Sequence, residues 1–252
     1  MIRRLLTKLK DGYRGNNLDP RPEWFMRDLG TFVNLIRTED SERFDPERIE
    51  ILPFLNDKTS TTSFDTHYIY HPAWAARVLK GISPSLHIDI GSTLHFSTLL
   101  SAFIPTRFYD YRPAYLNLTG LSSETADLTN LIFEDNTIET LSCMHTIEHV
   151  GLGRYGDHLD AKGDLKAMKE LQRVVRPGGS LLLVTPVGKQ KILFNGHRIY
   201  SFETITQAFD KMALVEFSLI PDNALEIGMI FNCPTETVKQ QDYGCGCFWF
   251  RK

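Results

Sequence analysis

The segment Leu131 to Val150, Leu-Ile-Phe-Glu-Asp-Asn-Thr-Ile-Glu-Thr-Leu-Ser-Cys-Met-His-Thr-Ile-Glu-His-Val, constrains the fold more than any other part of the chain. An acidic Asx turn, Glu134-Asp135-Asn136, leads into a short apolar run from Ile138 to Met144. A helix-start pattern ending in Glu148-His149 follows at once. A short apolar run bounded by a turn on one side and a polar helix start on the other reads as a buried strand in a strand-then-helix unit.

The same alternation extends through the chain from Tyr70. His71-Pro72 reads as a helix start, since proline suits the first helical position, and Gly81 ends the helix continued by Ala73 to Leu79. Leu86 to Ile90 is a short apolar strand, Ser97 to Phe103 a helix, Thr106 to Tyr109 a second strand and Leu116 to Leu121 a third. With Ile138 to Met144 as the fourth, the next element, Asp164 to Val175, carries Leu165, Met168, Leu171, Val174 and Val175 on one stripe and reads as an amphipathic helix. Pro177-Gly178-Gly179 breaks it before a near-continuous apolar strand, Ser180 to Thr185. Phe202 to Phe209 then reads as helix, Ala213 to Ile220 as extended, and Cys245 to Phe250 as a last strand. Strands alternating with helices predict an α/β fold, a mostly parallel sheet with helices on both faces. Residues 67–252 form this domain, and residues 1–66, charged and weakly periodic, form an N-terminal helical or irregular cap.

Composition excludes several classes. A net charge of -3 gives no footprint for nucleic acid. No apolar run approaches the length of a membrane span, and the N-terminal apolar residues are too interrupted by charge for a signal peptide. Four cysteines without framework spacing suggest a reducing, cytoplasmic setting. Within residues 1–10, Arg3, Arg4, Lys8 and Lys10 accompany Ile2, Leu5, Leu6 and Leu9 on one helical face. That pattern suits either a packed surface helix or a weak contact with the inner face of an anionic membrane.

In a parallel sheet, ligands bind beyond the carboxyl ends of the strands. The first strand ends in Asp89-Ile90-Gly91-Ser92-Thr93, where Gly91 allows backbone to approach a ligand. About twenty residues on, the second strand ends at Asp110, an acid able to accept hydrogen bonds from ribose hydroxyls. Asp127-Leu128 follows the third strand. These strand-end acids, the Pro-Gly-Gly before the fifth strand and the Leu131 to Val150 segment resemble the class I S-adenosylmethionine (SAM) methyltransferases over residues 70–220. The resemblance implies a Rossmann-like sheet, SAM as cofactor, and cofactor contacts at Asp89, Gly91, Ser92, Asp110, Asp127, Leu128 and His145. It places the adenine at Asp127-Leu128. The chain departs from the family's glycine-rich loop by keeping only Gly91.

Gly151-Leu-Gly-Arg154-Tyr155-Gly-Asp157, Phe194-Asn195-Gly-His197-Arg198 and the tail Asp242-Tyr-Gly-Cys-Gly-Cys-Phe-Trp-Phe resemble a narrower group of methyltransferase-like proteins encoded in bacterial surface-polysaccharide clusters. That implies transfer of a methyl group to an oxygen of a sugar or of a nucleotide- or phosphate-linked glycan precursor. His197 is the first candidate for a base, Asp157 the second, as base or as orienter of a histidine. Tyr155 and Arg198 are candidates to hold sugar hydroxyls or a phosphate. Two other readings stand beside this one: a SAM binder without catalysis, suggested by the reduced glycine loop, and a zinc hydrolase, because His145-Thr-Ile-Glu148-His149 matches the His-x-x-Glu-His pattern. No metal is expected. His67 and His71 read as helix-cap residues, and Cys245 and Cys247 as small buried residues of a strand.

Overall fold

The computed structural model describes residues 22–39 and 43–252. The amphipathic pattern in residues 1–10 therefore lies outside the described residues. The chain divides into two units, Met1–Ser63 and Phe64–Lys252.

In the first unit, helix α1 (Glu23–Glu39) falls within the segment read as a helical or irregular cap. Val33 and Ile36, three apart and so on one face, are its buried residues. A 3-10 turn at Pro46–Arg48 follows, capped by Asp45, whose side chain accepts the Glu47 N–H. Ion pairs Arg37–Glu47 (3.1 Å) and Lys58–Asp28 (3.1 Å) lie on the unit's surface.

The second unit is a seven-stranded sheet. Its elements in chain order are α2 (Thr66–Ile82), β1 (His87–Ile90), α3 (Leu94–Leu100), β2 (Thr106–Asp110), β3 (Leu121–Thr125), β4 (Ile138–Met144), α4 (Gly163–Val174), β5 (Val175–Val187), a small hairpin β6 (Lys191–Leu193) and β7 (His197–Ile199), α5 (Phe202–Ala208), β8 (Ala213–Ile220), α6 (Ala224–Ile227) and β9 (Gly244–Arg251). The strand order is β3-β2-β1-β4-β5-β9-β8. Strands β1 to β5 pair in parallel, and β9 runs antiparallel to both β5 and β8. Chain order reverses between β1 and β4, the place where such sheets open a crevice for a ligand.

The central strands β1 and β5 are buried on both faces, consistent with their unbroken apolar runs. One core layer sets Met168, Leu171 and Val174 of α4 and Ile205 of α5 against Leu141, Leu181 and Phe248. The other sets Trp74 and Leu79 of α2 and Phe96 of α3 against Met144, Val184 and Cys247. Helices thus cover both faces.

Several element boundaries differ from those predicted, and helix α3 runs Leu94–Leu100 instead of Ser97 to Phe103 because Thr93 caps it. Helix α2 starts more than a turn before Pro72, because Asp65 caps it by accepting the Tyr68 N–H; Pro72 sits inside the helix. The third strand is Leu121–Thr125, not Leu116 to Leu121. Its sequence is polar because it is the sheet edge, so it has no apolar run to betray it. Pro177-Gly178-Gly179 lies within β5 instead of before it: Ile138 pairs with Val175 and Thr140 with Ser180, so the intervening residues bulge out. Gly178 reaches φ +75° there and its N–H donates to the Lys252 carbonyl at 2.7 Å.

Candidate functional site

A cavity of about 260 Å³ opens at the carboxyl ends of β1, β2 and β4. Seven of the residues singled out in the sequence line it: Gly91, Asp110, Asp127, Leu128, His145, Tyr155 and Asp157. Four do not: Asp89, Ser92, His197 and Arg198.

Gly91 forms part of the wall where the loops after β1 and β4 meet. Its φ is +70°, and a Cβ there would lie 2.6 Å from Thr146 Cγ2 and 2.7 Å from Thr146 Oγ1. Only glycine combines that backbone with that approach. Thr146 closes the joint by donating its hydroxyl to the Gly91 carbonyl at 3.0 Å, so the loops after β1 and β4 are tied together. One glycine is enough here because the next residues leave the cavity at once: Thr93 caps α3, accepting the Phe96 N–H at 3.2 Å.

The two acids on the opposite wall are set by Asx turns. Asp110 Oδ1 accepts the Arg112 N–H at 2.7 Å, and Asp127 Oδ1 accepts both the N–H (2.8 Å) and the hydroxyl (2.7 Å) of Thr129. Each carboxylate is thereby oriented by one oxygen at the lip of its strand. Leu128, 7% exposed, supplies an apolar wall beside them.

Asp89 stands behind the loop, fully buried, and corrects its expected role as a direct contact. It accepts hydroxyls from Ser142 (2.6 Å) and Ser97, joining β1 to β4 and α3. Burial pushes its carboxyl up to about 6, against the hydrogen bonds from Ser142 and Ser97. Ser92 is likewise buried outside the lining.

The loop after β4 builds the remaining side. His145 leaves the strand at φ +57°, and only a 3-10 turn, Ile147–His149, follows. The His-x-x-Glu-His run is therefore not helical, and its two histidines do not share an α-helical face. Glu148 is fully buried; it accepts from His145 Nδ1 at 2.9 Å and from the Thr185 hydroxyl at 3.3 Å. Burial pushes the Glu148 carboxyl up, but the hydrogen bond and charge of His145 outweigh it and hold it below the ordinary range.

Asp157 organises the glycine-rich loop that comes next. Its Oδ2 accepts the N–H groups of Gly151 (2.7 Å) and Gly153 (3.3 Å), and its Oδ1 that of Tyr155 (3.2 Å). Partial burial pushes the Asp157 carboxyl up, yet these three backbone donors overcome it and hold the group below the usual carboxylate value. Such a carboxylate shapes a loop and makes a weak base. Gly151, Gly153 and Gly156 all have positive φ, and a Cβ on Gly151 would lie 2.1 Å from the Asp160 carbonyl oxygen. The loop's result is the position of Tyr155, whose ring lies 4.5 Å beneath the Arg112 guanidinium and so joins the β2 and β4 sides of the cavity.

Arg198 is 5% exposed and holds structure together: it donates to the Val150 carbonyl at 2.7 Å and pairs with Asp164 at 3.5 Å. His197, expected as the base, lies behind the lining with its ring 6.3 Å from that of His149 and 5.1 Å from that of Tyr243. Burial lowers its pKa below the ordinary histidine value, with Glu148 opposing the shift. The sequence reading missed Arg112 and named His149 only within the His-x-x-Glu-His pattern, yet both line the cavity. His149 Nδ1 donates to the Gly196 carbonyl at 2.6 Å, so that in the neutral ring Nε2 carries the lone pair. The signal available for it was position: it is the second histidine after a strand end, and no helix carries it away from the crevice.

A family profile described as Caenorhabditis protein of unknown function, DUF268, matches residues 127–225. None of the curated proteins matches the chain. Among solved structures, the chain is similar to one from the complex between the Haloferax volcanii Trm112 methyltransferase activator and a candidate methyltransferase, at 16% identity over 74% of this chain and 89% of that chain, with a TM-score of 0.50. It is also similar to the N-methyltransferase NodS from Bradyrhizobium japonicum WM9 in complex with S-adenosyl-L-homocysteine, at 12% identity over 75% of this chain and 89% of that chain, again with a TM-score of 0.50. These likenesses establish the fold as a Rossmann-like class I methyltransferase sheet.

Proposed function

We propose that this chain is a SAM-dependent methyltransferase, and that its acceptor is an oxygen of a sugar or of a nucleotide- or phosphate-linked glycan precursor. The observation that carries the cofactor assignment is the cavity at the β1/β4 switch point, walled by a glycine whose Cβ would collide with Thr146 and by two oriented carboxylates, Asp110 and Asp127.

The residues present fit SAM. Asp110 would accept from the ribose hydroxyls, Asp127 from the adenine amine, and the Leu128 side chain would face an apolar ring. Gly91 and His145 border the stretch between the two ends. SAM supplies an electrophilic methyl group whose leaving group departs neutral, so the protein's task is alignment, exclusion of water and removal of the acceptor proton. His149 is placed for the last: it lines the cavity, and its Nδ1–H is held by Gly196 so that Nε2 can take a proton. Arg112 and Tyr155 are placed to hold the acceptor, a cation and a hydroxyl on one edge. A polar, aromatic-edged wall of this kind supports a hydroxylated or phosphorylated acceptor over an apolar one.

Titration calorimetry with S-adenosylhomocysteine tests the cofactor assignment. Micromolar-range binding is expected, weakened in Asp110→Ala by about 1–3 kcal/mol through the lost charged hydrogen bonds. Absence of binding by the unaltered protein would end the reading. Turnover of labelled SAM against a panel of nucleotide sugars then tests the acceptor.

A further inference from the structure

Beside the cavity, three residues from distant parts of the sequence converge. His67 lies in the first turn of α2, His145 follows β4, and Cys245 lies in β9. All three are buried, and one ligand atom from each lies within 4.8 Å of the others. His145 Nε2 is 3.4 Å from Cys245 Sγ. With zinc–nitrogen bonds of about 2.0–2.1 Å and zinc–sulfur bonds of about 2.3 Å, two ligands of a tetrahedral ion stand roughly 3.5 Å apart. This pair is already at that spacing.

We propose that His67, His145 and Cys245 bind a divalent transition metal of the zinc class. Two imidazoles and a thiolate form a borderline-soft donor set, which suits zinc and not calcium or magnesium. The surroundings are those of a metal site as well. A ligating histidine usually gives its other N–H to a carboxylate or carbonyl, which fixes the ring and its tautomer. His145 Nδ1 is hydrogen-bonded to the buried Glu148 at 2.9 Å, which turns Nε2 toward the thiol. The His67 ring stacks on that of Tyr243, with centroids 5.0 Å apart.

Next to them His71, one turn along α2 from His67, is fully buried with its ring 5.0 Å from that of His145. Its Nδ1 donates to the His67 carbonyl at 2.7 Å, and its Nε2 has no hydrogen-bond partner. A buried lone pair without a donor is costly, and a neighbouring cation relieves it. Charge balances too: a divalent ion with one thiolate leaves one positive charge against the one negative charge of Glu148.

The ion would clamp the start of α2 and the end of the sheet onto the loop that leads to His149. Metal binding releases the Cys245 thiol proton to solvent; no redox change is involved.

The test uses the whole chain, stripped of metal with a chelator and titrated with Co²⁺, then with Zn²⁺ in competition. The expected result is one Co²⁺ per chain, with the near-ultraviolet charge-transfer band of a thiolate–cobalt bond and displacement by Zn²⁺. Cys245→Ser should abolish that band, and Cys233→Ser, which changes a thiol elsewhere in the fold, should keep it. His145→Ala and His67→Gln should each weaken Co²⁺ binding at least tenfold, with circular dichroism confirming that each variant is folded. Failure of the unaltered protein to bind either metal overturns the proposal whatever the variants do. So does a charge-transfer band that survives in Cys245→Ser.

Discussion

Replacing Asp157 by alanine separates two roles that sequence alone could not. The carboxylate accepts three backbone N–H groups, from Gly151, Gly153 and Tyr155. Hydrogen bonds to a charged group contribute roughly 1.5–3 kcal/mol each when buried. Here the carboxylate is partly exposed and the freed N–H groups can turn to water, so the summed loss should be about 2–4 kcal/mol. Without the anion the three dipoles repel one another, the loop opens, and Tyr155 loses its seat under Arg112. Affinity for S-adenosylhomocysteine should then fall tenfold or more. The pH dependence has a definite sign: a carboxyl group held below its ordinary value of 3.8 in the fold contributes stability above that pH and loses it as pH falls through the folded value. The stability gap between the unaltered protein and Asp157→Ala should therefore be full at pH 7 and shrink below about pH 4. Urea denaturation at both pH values and calorimetry with S-adenosylhomocysteine measure these effects. A variant with unchanged stability and cofactor affinity, but turnover reduced 100-fold, would refute the loop-shaping role and restore Asp157 as the base.

Three further outcomes are expected. Gly91→Ala must place a methyl against Thr146 at a backbone angle that L-residues avoid, so it should cost about 2–4 kcal/mol of stability and most of the cofactor affinity, read by thermal melts with and without S-adenosylhomocysteine. Asp89 has a folded pKa of about 6 against an ordinary 3.8, so its contribution is favourable below about pH 4 and is lost as pH rises to 6; Asp89→Asn should flatten that slope, worth up to about 3 kcal/mol, and an unchanged slope in urea denaturation would show that another group is responsible. His149→Gln should cut methyl transfer by roughly 10²-fold or more with cofactor affinity within a few-fold, whereas His197→Gln, behind the lining, should keep turnover within about tenfold; the reverse order in single-turnover assays would exchange their roles.

The sheet was legible because its central strands are continuous apolar runs, which only burial on both faces explains, and because Gly91, Asp110 and Asp127 follow strand ends, where they line the cavity. The edge strand was not: Leu121–Thr125 is polar, having one side to solvent. Pro72 misled because proline usually opens a helix, while Asp65 offers a stronger start one turn and more upstream. Asp157 and Arg198 looked catalytic because charge in a glycine-rich loop is conspicuous; their charges are consumed by backbone groups and Asp164, and hydrogen-bond partners are invisible in a sequence. His67, His145 and Cys245 are the opposite case. Each was noticed separately, and only the folded chain brings together residues that lie 78 and 100 positions apart.

Strand β9 lies between β5 and β8, pairing with both along its length. Strand β8 reaches the rest of the sheet only through it. Until Gly244–Arg251 has emerged from the ribosome, β5 presents a long apolar edge with unsatisfied backbone donors and acceptors, and β8 has nothing to join. Closing the sheet must therefore wait for a segment some seventy residues from its first partner, Arg251 meeting Ser180. During that interval the nascent chain offers an open template for strand addition, by a sister chain or by a chaperone. Stop codons that remove β9 should accordingly yield aggregates, not a smaller soluble domain.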